Sequence, residues 1–360
     1  MLEVVQVIWF MCLLVLGLYH LFIFRLKNKT DSHASSSNLP GVSVIIAVRN
    51  GPSEFKEHIY SILEQDYPTF ELIVVDDHSE PARRKELEVF ISTLSNTNLI
   101  LSDGRGKKQA LMTGIEKAKY DFVLFTDADC SPSGKFWIKT MMEQNTYHGT
   151  VLGYSPYLKL GGWLNLLVRF ETLMTGMQYL SWAMKGRPYM AVGRNVLYPR
   201  ELLIKRNPFQ THSDIPYGDD DLAIQSLARQ AQISICIDRK AQMISNAPAS
   251  FGEWLKQKHR HLSAGHYYKA QSWWQPGLYG IALIGNWFLI PFMIHSLEVW
   301  HWLPLLIAFL LLRWMNYKTW SDRLGDTDTI KWYPLLEIFY TMYLAFMGAF
   351  TLMAKKKTWN

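Results

Sequence analysis

Cysteine is scarce in this chain. Cys12, Cys130 and Cys236 are its only three, and they lie far apart. That excludes a disulfide framework and a thiolate metal site, and it fits a reducing compartment. Charge is thin as well: 19% of the 360 residues are charged against 49% hydrophobic, a balance too apolar for an ordinary soluble protein. Also missing are a Walker A spacing, an H-E-x-x-H helix, and any aromatic-basic RNA motif or recognition-helix pattern. His259, His261 and His266 therefore have no metal-site context. The formal net charge of +6 is read as membrane-flanking charge, with no nucleic-acid partner implied.

What is present is unevenly spread. Residues 4–24 form an apolar run of bilayer-spanning length. Glu3 precedes it and no small-residue cleavage site follows, so it reads as a retained anchor rather than a signal peptide. Arg25-Leu26-Lys27-Asn28-Lys29 then places the following segment in the cytoplasm by the positive-inside rule, and residues 30–39 read as a polar linker. Further apolar runs lie at 278–296, 302–315 and 333–353, flanked by Trp273, Trp274, Trp300, Trp302, Trp314, Trp320 and Trp332. Strict alternation would put Lys355–Lys357 outside, so one of these runs is expected to be re-entrant or interfacial. The expected organisation is an anchor at 1–25, a linker at 26–40, a cytoplasmic catalytic domain at 41–270 and membrane helices at 277–354. That describes a multi-pass protein of the cell (inner) membrane, in contact with the lipid bilayer.

Between the apolar ends, strand and helix patterns alternate. Val42-Ser43-Val44-Ile45-Ile46-Ala47-Val48 is a β-rich run of the kind a buried parallel strand needs. Phe55, Ile59, Ile62 and Leu63 follow at helical spacing. Phe70–Val75 ends in Asp76-Asp77, and Phe122–Phe125 ends in Thr126-Asp127-Ala128-Asp129. The alternation predicts an α/β, doubly wound and mostly parallel sheet, whose ligands bind beyond the carboxyl ends of the strands. Both acidic pairs fall there. A pair such as Asp76-Asp77 also serves simply as a turn or helix cap. Asp127-Ala128-Asp129 is more specific, because two carboxylates one residue apart at a strand end suit a hard divalent cation and a phosphate.

Three other segments carry chemistry. Lys107 and Lys108 follow the turn Gly104-Arg105-Gly106 and open a helix, an arrangement suited to phosphate, though it also reads as an exposed basic turn. Gly218-Asp219-Asp220-Asp221-Leu222 stacks carboxylates before a helix. One would satisfy the helix dipole; three repel unless a cation or a shared proton is near. In Gln257-Lys258-His259-Arg260-His261, residues 257, 260 and 261 share a helix face, where Arg260 suits a diphosphate or lipid headgroups. The stretch Trp163–Met184 reads equally as an interfacial or a core helix.

Taken in order, these segments resemble the membrane-bound glycosyltransferase family 2 enzymes, which have a GT-A fold. Asp76-Asp77 looks like their donor-base aspartates, with Asp77 nearer the base. Asp127-Ala128-Asp129 looks like their D-x-D metal motif, with Asp129 the direct ligand. Gly193-Arg194-Asn195 resembles their acceptor-side G-x-N, and residues 218–222 their E-D-x-D-L, with Asp219 at the base position and Asp220 in reserve. Residues 257–261 resemble Q-x-x-R-W. The resemblance implies a GT-A doubly wound mixed sheet. It also implies Mg²⁺ or Mn²⁺, and inverting transfer from a nucleotide diphosphate sugar, with a lean to UDP, onto a lipid-linked or cell-envelope glycan acceptor. Gly218 replaces the family's Glu, and His261 replaces its Trp. The second change favours a single transfer over a processive polysaccharide synthase. A membrane nucleotidyltransferase and a catalytically inactive scaffold subunit are the competing classes. Asp219 and Arg260 argue against the first, and intact Asp129 and Asp219 against the second.

Overall fold

The structure is a computed structural model that describes residues 2–26, 39–145, 148–210, 218–228, 232–296 and 298–353. Most of the expected linker at 26–40, and Lys355–Lys357, lie outside the described residues. The chain forms two compact units. One, an α/β unit, comprises Thr30–Leu158, Gly186–Ala247 and the last three residues; the other, a helical unit, comprises Met1–Lys29, Lys159–Lys185 and Pro248–Lys357. Residues 159–185 and 248–270, expected within the catalytic segment, thus fall in the same unit as the terminal helices.

The chain opens with α1 (Leu2–Leu18), which continues as a π-helical turn through Tyr19–Ile23 and belongs to the helical unit. The α/β unit starts at β1 (Val42–Val48), followed by α2 (Phe55–Leu63), β2 (Phe70–Asp76), α3 (Pro81–Ile91), β3 (Thr97–Leu101), α4 (Lys107–Lys117) and β4 (Phe122–Asp127). Next come β5 (Cys130–Pro132), α5 (Trp137–Glu143) and β6 (Thr150–Gly153). After the excursion of α6 (Trp163–Met184) into the helical unit, the α/β unit resumes with β7 (Val196–Pro199) and α7 (Arg200–Arg206). It ends with α8 (Asp219–Leu227), β8 (Ile233–Cys236) and β9 (Met243–Ser245).

Among the described residues the main sheet runs β3-β2-β1-β4-β7-β6-β8. Its first four strands are parallel, β7 is antiparallel to β4 and β6, and β6 is parallel to β8. The sheet is therefore mixed. Central β1 and β2 are buried on both faces, which is why their sequences read as near-continuous Val/Ile runs instead of alternating. Phe55, Ile59 and Ile62 of α2 and Trp137 of α5 close the core. Burying each such side chain is worth roughly 1.5–3 kcal/mol. Register fixes the site: Asp76 lies opposite Val48, and Asp127 opposite Ala47, so β1 carries one acidic end on each side. A two-stranded antiparallel ribbon, β5 with β9, sets Cys130 against Ser245 just beyond Asp129.

The helical unit holds α6, α9 (Phe251–Ser263), α10 (Ala270–Phe288), α11 (Ile290–Ser296), α12 (Val299–Leu324) and α13 (Tyr333–Met353). Leu2–Ile23, Val299–Leu324 and Thr327–Phe350 are long and apolar enough to cross a membrane. The expected run 278–296 is divided at Leu289 between α10 and α11. α10 is antiparallel to α1: Trp9 Nε1 donates to the Asn286 carbonyl at 3.1 Å, and Tyr19 Oη to that of Gln275 at 2.7 Å. α12 is parallel to α1, with Trp9 against Trp302 at one end and Trp320 Nε1 donating to the Phe24 carbonyl at 2.7 Å at the other. α6 is a core helix. Phe170 sits among Tyr317, Tyr333 and Tyr340, and buried Arg169 pairs with Asp326.

Candidate active site

The carboxyl ends of β1 and β2 are laced together. Asn50, at φ 60°, donates its backbone N–H to Ser79 Oγ at 2.8 Å and accepts the Glu80 N–H on Oδ1 at 2.8 Å. Asp76 serves this turn. It is 1% exposed, Oδ1 accepts the Ser79 N–H at 3.0 Å, and Oδ2 faces Arg84 at 4.0 Å. The capping role considered for this acidic pair is thus one that Asp76 takes. Asp77 does something else: its Oδ1 accepts the Gly106 N–H at 2.7 Å. Gly106 has φ 100°, a conformation that a side chain would strain, and it sets the first residue of α4, Lys107, toward the strand ends.

Lys107 is the hub. Its Nζ donates to Asp127 Oδ1 at 2.7 Å and lies 3.4 Å from Asp219 Oδ2. Burial pulls its pKa down, but the carboxylates of Asp127, Asp219 and Asp220 outweigh this and hold it well above the ordinary lysine value. The ammonium therefore stays charged. Burial lowers Lys108 instead, against the pull of Asp219 and Asp220. Residues from β2, α4, β4 and α8 thus meet at one sheet edge.

The D-x-D turn is held from two sides. The Ala128 carbonyl is 3.0 Å from His58 Nδ1 on α2, and Asp129 Oδ1 accepts the Cys130 thiol at 3.3 Å. Ligand atoms of Asp127, Asp129 and Cys130 all lie within 4.8 Å of one another, and Asp129 is exposed. Burial pushes the Cys130 thiol well up, so it stays neutral. The donor set is then carboxylate oxygen, which fits Mg²⁺ or Mn²⁺ better than a thiophilic metal.

The three carboxylates of α8 have separate roles. Gly218 precedes them at φ 75°, which explains glycine at a position where the resembling family has Glu. Asp219 is 17% exposed and faces Lys107. Asp220 Oδ2 accepts the Gly193 N–H at 2.8 Å, and its Oδ1 accepts the Asp221 N–H at 3.0 Å. Burial, then the charge of Asp219, pushes Asp220 up to about 6; Lys107 and the two N–H groups oppose this. Asp221 is buried and accepts the Ala191 N–H at 3.3 Å.

Gly193-Arg194-Asn195 divides its three residues among three tasks. Gly193 offers its amide to Asp220. Asn195, expected on the acceptor side, is fully buried: Oδ1 accepts Trp137 Nε1 at 2.9 Å, and Nδ2 donates to the carbonyls of Tyr154 at 2.9 Å and Ala241 at 2.8 Å. These bonds fasten it into the core. Arg194, which the motif reading passed over, lies over the Tyr157 ring at 4.9 Å and within electrostatic reach of Asp127. His58 was missed as well. Its only signal was a histidine beside the apolar stripe of α2. Gln257, Arg260 and His261 lie on α9 in the helical unit. There Lys258 is buried and paired with Glu171 of α6, while Arg260 and His261 are exposed.

Residues 43–205 match Glycosyl transferase family 2. The chain is 24% identical over 268 residues to a poly-beta-1,6-N-acetyl-D-glucosamine synthase of Staphylococcus epidermidis, covering 71% of this chain and 63% of that protein. It thus spans less than two thirds of that relative. It is 33% identical over 100 residues to glycosyltransferase AglE of Haloferax volcanii, covering 27% of this chain and 33% of that one. Among solved structures it is similar to the mannosyltransferase PcManGT from Pyrobaculum calidifontis, in complex with GDP-Man and Mn²⁺. That likeness has a TM-score of 0.60 at 19% identity and covers 92% of this chain and 98% of that one. At that identity it bears on the fold alone, and the mixed sheet is of the GT-A type expected from the sequence.

Proposed function

We propose that this chain, whose residues 43–205 match Glycosyl transferase family 2, transfers a sugar from a nucleotide diphosphate sugar to a lipid-linked or cell-envelope acceptor. The observation that carries the reading is Lys107 bridging Asp127 and Asp219. In a single inverting displacement the acceptor oxygen attacks the anomeric carbon. The bond from that carbon to the phosphate oxygen breaks, and the nucleoside diphosphate leaves with the electron pair. The acceptor's proton passes to Asp219. Asp129 and Asp127 would hold Mg²⁺ or Mn²⁺, which supplies positive charge against the departing diphosphate.

Lys107, at the N-terminus of α4 with Lys108, receives the phosphates. As the diphosphate draws Lys107 away, Asp219 is released from its ion pair and is free to take the proton. Asp77 is assigned to the donor base, Arg260 and Gln257 to the diphosphate, and His261 with the Gly193 backbone to the acceptor side. PcManGT was solved with GDP-Man, so GDP-sugars stand beside UDP-sugars as donors to test. A processive synthase is the second reading, favoured by the likeness to the Staphylococcus epidermidis synthase. His261 in place of the family's Trp weighs against it, and the length distribution of the product separates the two.

Packing inside the helical unit supports α1, α10 and α12 as alternating bilayer crossings, with Arg25 and Asp326 at the cytoplasmic end and Glu298 outside. An impermeant maleimide added to intact cells should label Glu298→Cys and spare Thr327→Cys, in a background with Cys12 replaced. The opposite pattern would assign the crossings to α12 and α13. The activity test is release of nucleoside diphosphate by detergent-purified protein from a panel of UDP- and GDP-sugars with Mg²⁺ or Mn²⁺. Release from one donor, at least about a hundredfold lower in Asp129→Asn and Asp219→Asn, is the expected result. No release from any donor with membrane lipids supplied as acceptor would favour an inactive scaffold subunit.

A further inference from the structure

Arg194 differs from Lys107 in what holds it. The charge of Lys107 is shared between two carboxylates. Arg194 is held by neutral groups: Nη2 donates to the Ser155 carbonyl at 2.9 Å, and the guanidinium lies over the Tyr157 ring at 4.9 Å. Among the described residues no carboxylate lies within ion-pair distance of it, Asp127 acting only from further off, and its buried Nε has no hydrogen-bond partner. Holding a half-buried cation without a carboxylate in direct contact is costly, so a site that retains one is built to meet negative charge from elsewhere.

Its placement says where that charge arrives. Tyr157 bridges to Ser245, and Ser245 is the register partner of Cys130, which directly follows Asp129. On either side of Arg194, the Gly193 amide is fixed on Asp220, and Asn195 is fastened into the core. The guanidinium therefore stands beside the D-x-D turn, with fixed residues on either side and an aromatic ring 4.9 Å away. A planar fork with donors beyond those it spends on Ser155 and Tyr157 suits phosphate oxygens in a way that an ammonium does not.

We propose that Arg194 is a fixed phosphate-binding residue of this site. The inference rests on the transferase reading above. Two sources supply the same chemistry: the diphosphate of the donor, and a phosphate on a lipid acceptor.

The test is equilibrium binding to purified wild-type protein, Arg194→Gln and Arg194→Lys. The probes are UDP, GDP, uridine and guanosine without metal, farnesyl phosphate against farnesol, and Mn²⁺ alone followed by electron paramagnetic resonance. If the donor diphosphate is the ligand, Arg194→Gln binds UDP or GDP about tenfold or more weakly, leaves the nucleosides unchanged, and is partly rescued in Arg194→Lys. If the acceptor phosphate is the ligand, the loss falls on farnesyl phosphate and spares farnesol. In either case Mn²⁺ binding is not weakened, because removing a positive charge near Asp127 favours a cation.

Wild-type phosphate affinities in Arg194→Gln would overturn the proposal. So would parallel loss of nucleoside and Mn²⁺ binding with a lowered melting temperature that Arg194→Lys does not restore, which would make Arg194 a staple between segments. Failure of the wild-type protein itself to bind any nucleotide would count against the transferase reading instead.

Discussion

Charge is organised differently in the two units. At the edge of the α/β sheet, Lys107 is 42% exposed and shares its proton-rich head between carboxylates from two elements. In the helical unit, Arg313 and Glu337 pair at 3.1 Å with both side chains 0% exposed. Glu337 also accepts Trp287 Nε1 at 3.2 Å and the Tyr333 hydroxyl at 2.5 Å, so its carboxylate is saturated. The first arrangement is ready to exchange partners when a ligand arrives. The second is shut away from solvent and would leave a buried charge uncompensated if broken. The contrast separates charges placed for chemistry from charges placed for architecture.

Substitutions can break that contrast or sharpen it. Lys107→Met should lower turnover about a hundredfold or more while leaving the melting temperature near wild type, because its partners remain solvated. Kinetics and thermal unfolding of one preparation check both halves. Glu337→Gln should do the reverse in kind, destabilising the protein by about 3–5 kcal/mol because a buried guanidinium loses its counter-charge. The double change Arg313→Met with Glu337→Leu should recover most of that loss in detergent unfolding. A Glu337→Gln protein as stable as wild type would erase the distinction between the units. Gly193→Ala should be milder. A Cβ there would stand 3.2 Å from both Cβ and Oδ2 of Asp220, and about a tenfold fall in kcat with donor affinity retained is expected.

The smallest effect is on pH dependence. Asp220 is raised from 3.8 to about 6, so between those values the folded chain binds a proton that the unfolded chain has released. The stability contributed by this group is complete below pH 3.8 and is lost as pH rises through about 6. Asp220→Asn should therefore be stabilised relative to wild type at pH 7, with the difference vanishing near pH 4. Melting curves at the two pH values check the sign, and a constant difference would contradict it.

Much of the α/β unit was legible because its signals are local. Valine and isoleucine runs mark the buried strands, and the acidic pairs fall at their carboxyl ends as expected. Lys107 and Asp219 were singled out separately, and only the fold brings them together. What escaped the sequence depends on tertiary direction. A G-x-N spacing does not say that Asn195 turns inward to Trp137 while Arg194 turns toward Tyr157. Gly218 reads as a departure until its left-handed backbone is seen. Nor does local hydrophobicity reveal that 159–185 joins the terminal helices, since its partners lie more than a hundred residues away in sequence, as Arg169 and Asp326 illustrate.

The bond from the Gly106 amide to Asp77 has a practical bearing on engineering. If Asp77 selects the nucleobase, that carboxylate also tethers the turn from which Lys107 projects. Donor preference and phosphate handling are then mechanically joined. Retuning the donor by replacing Asp77 would slacken the lysine as well and return a poor catalyst for any sugar nucleotide. A library aimed at new donors should leave that carboxylate in place and vary the residues around it.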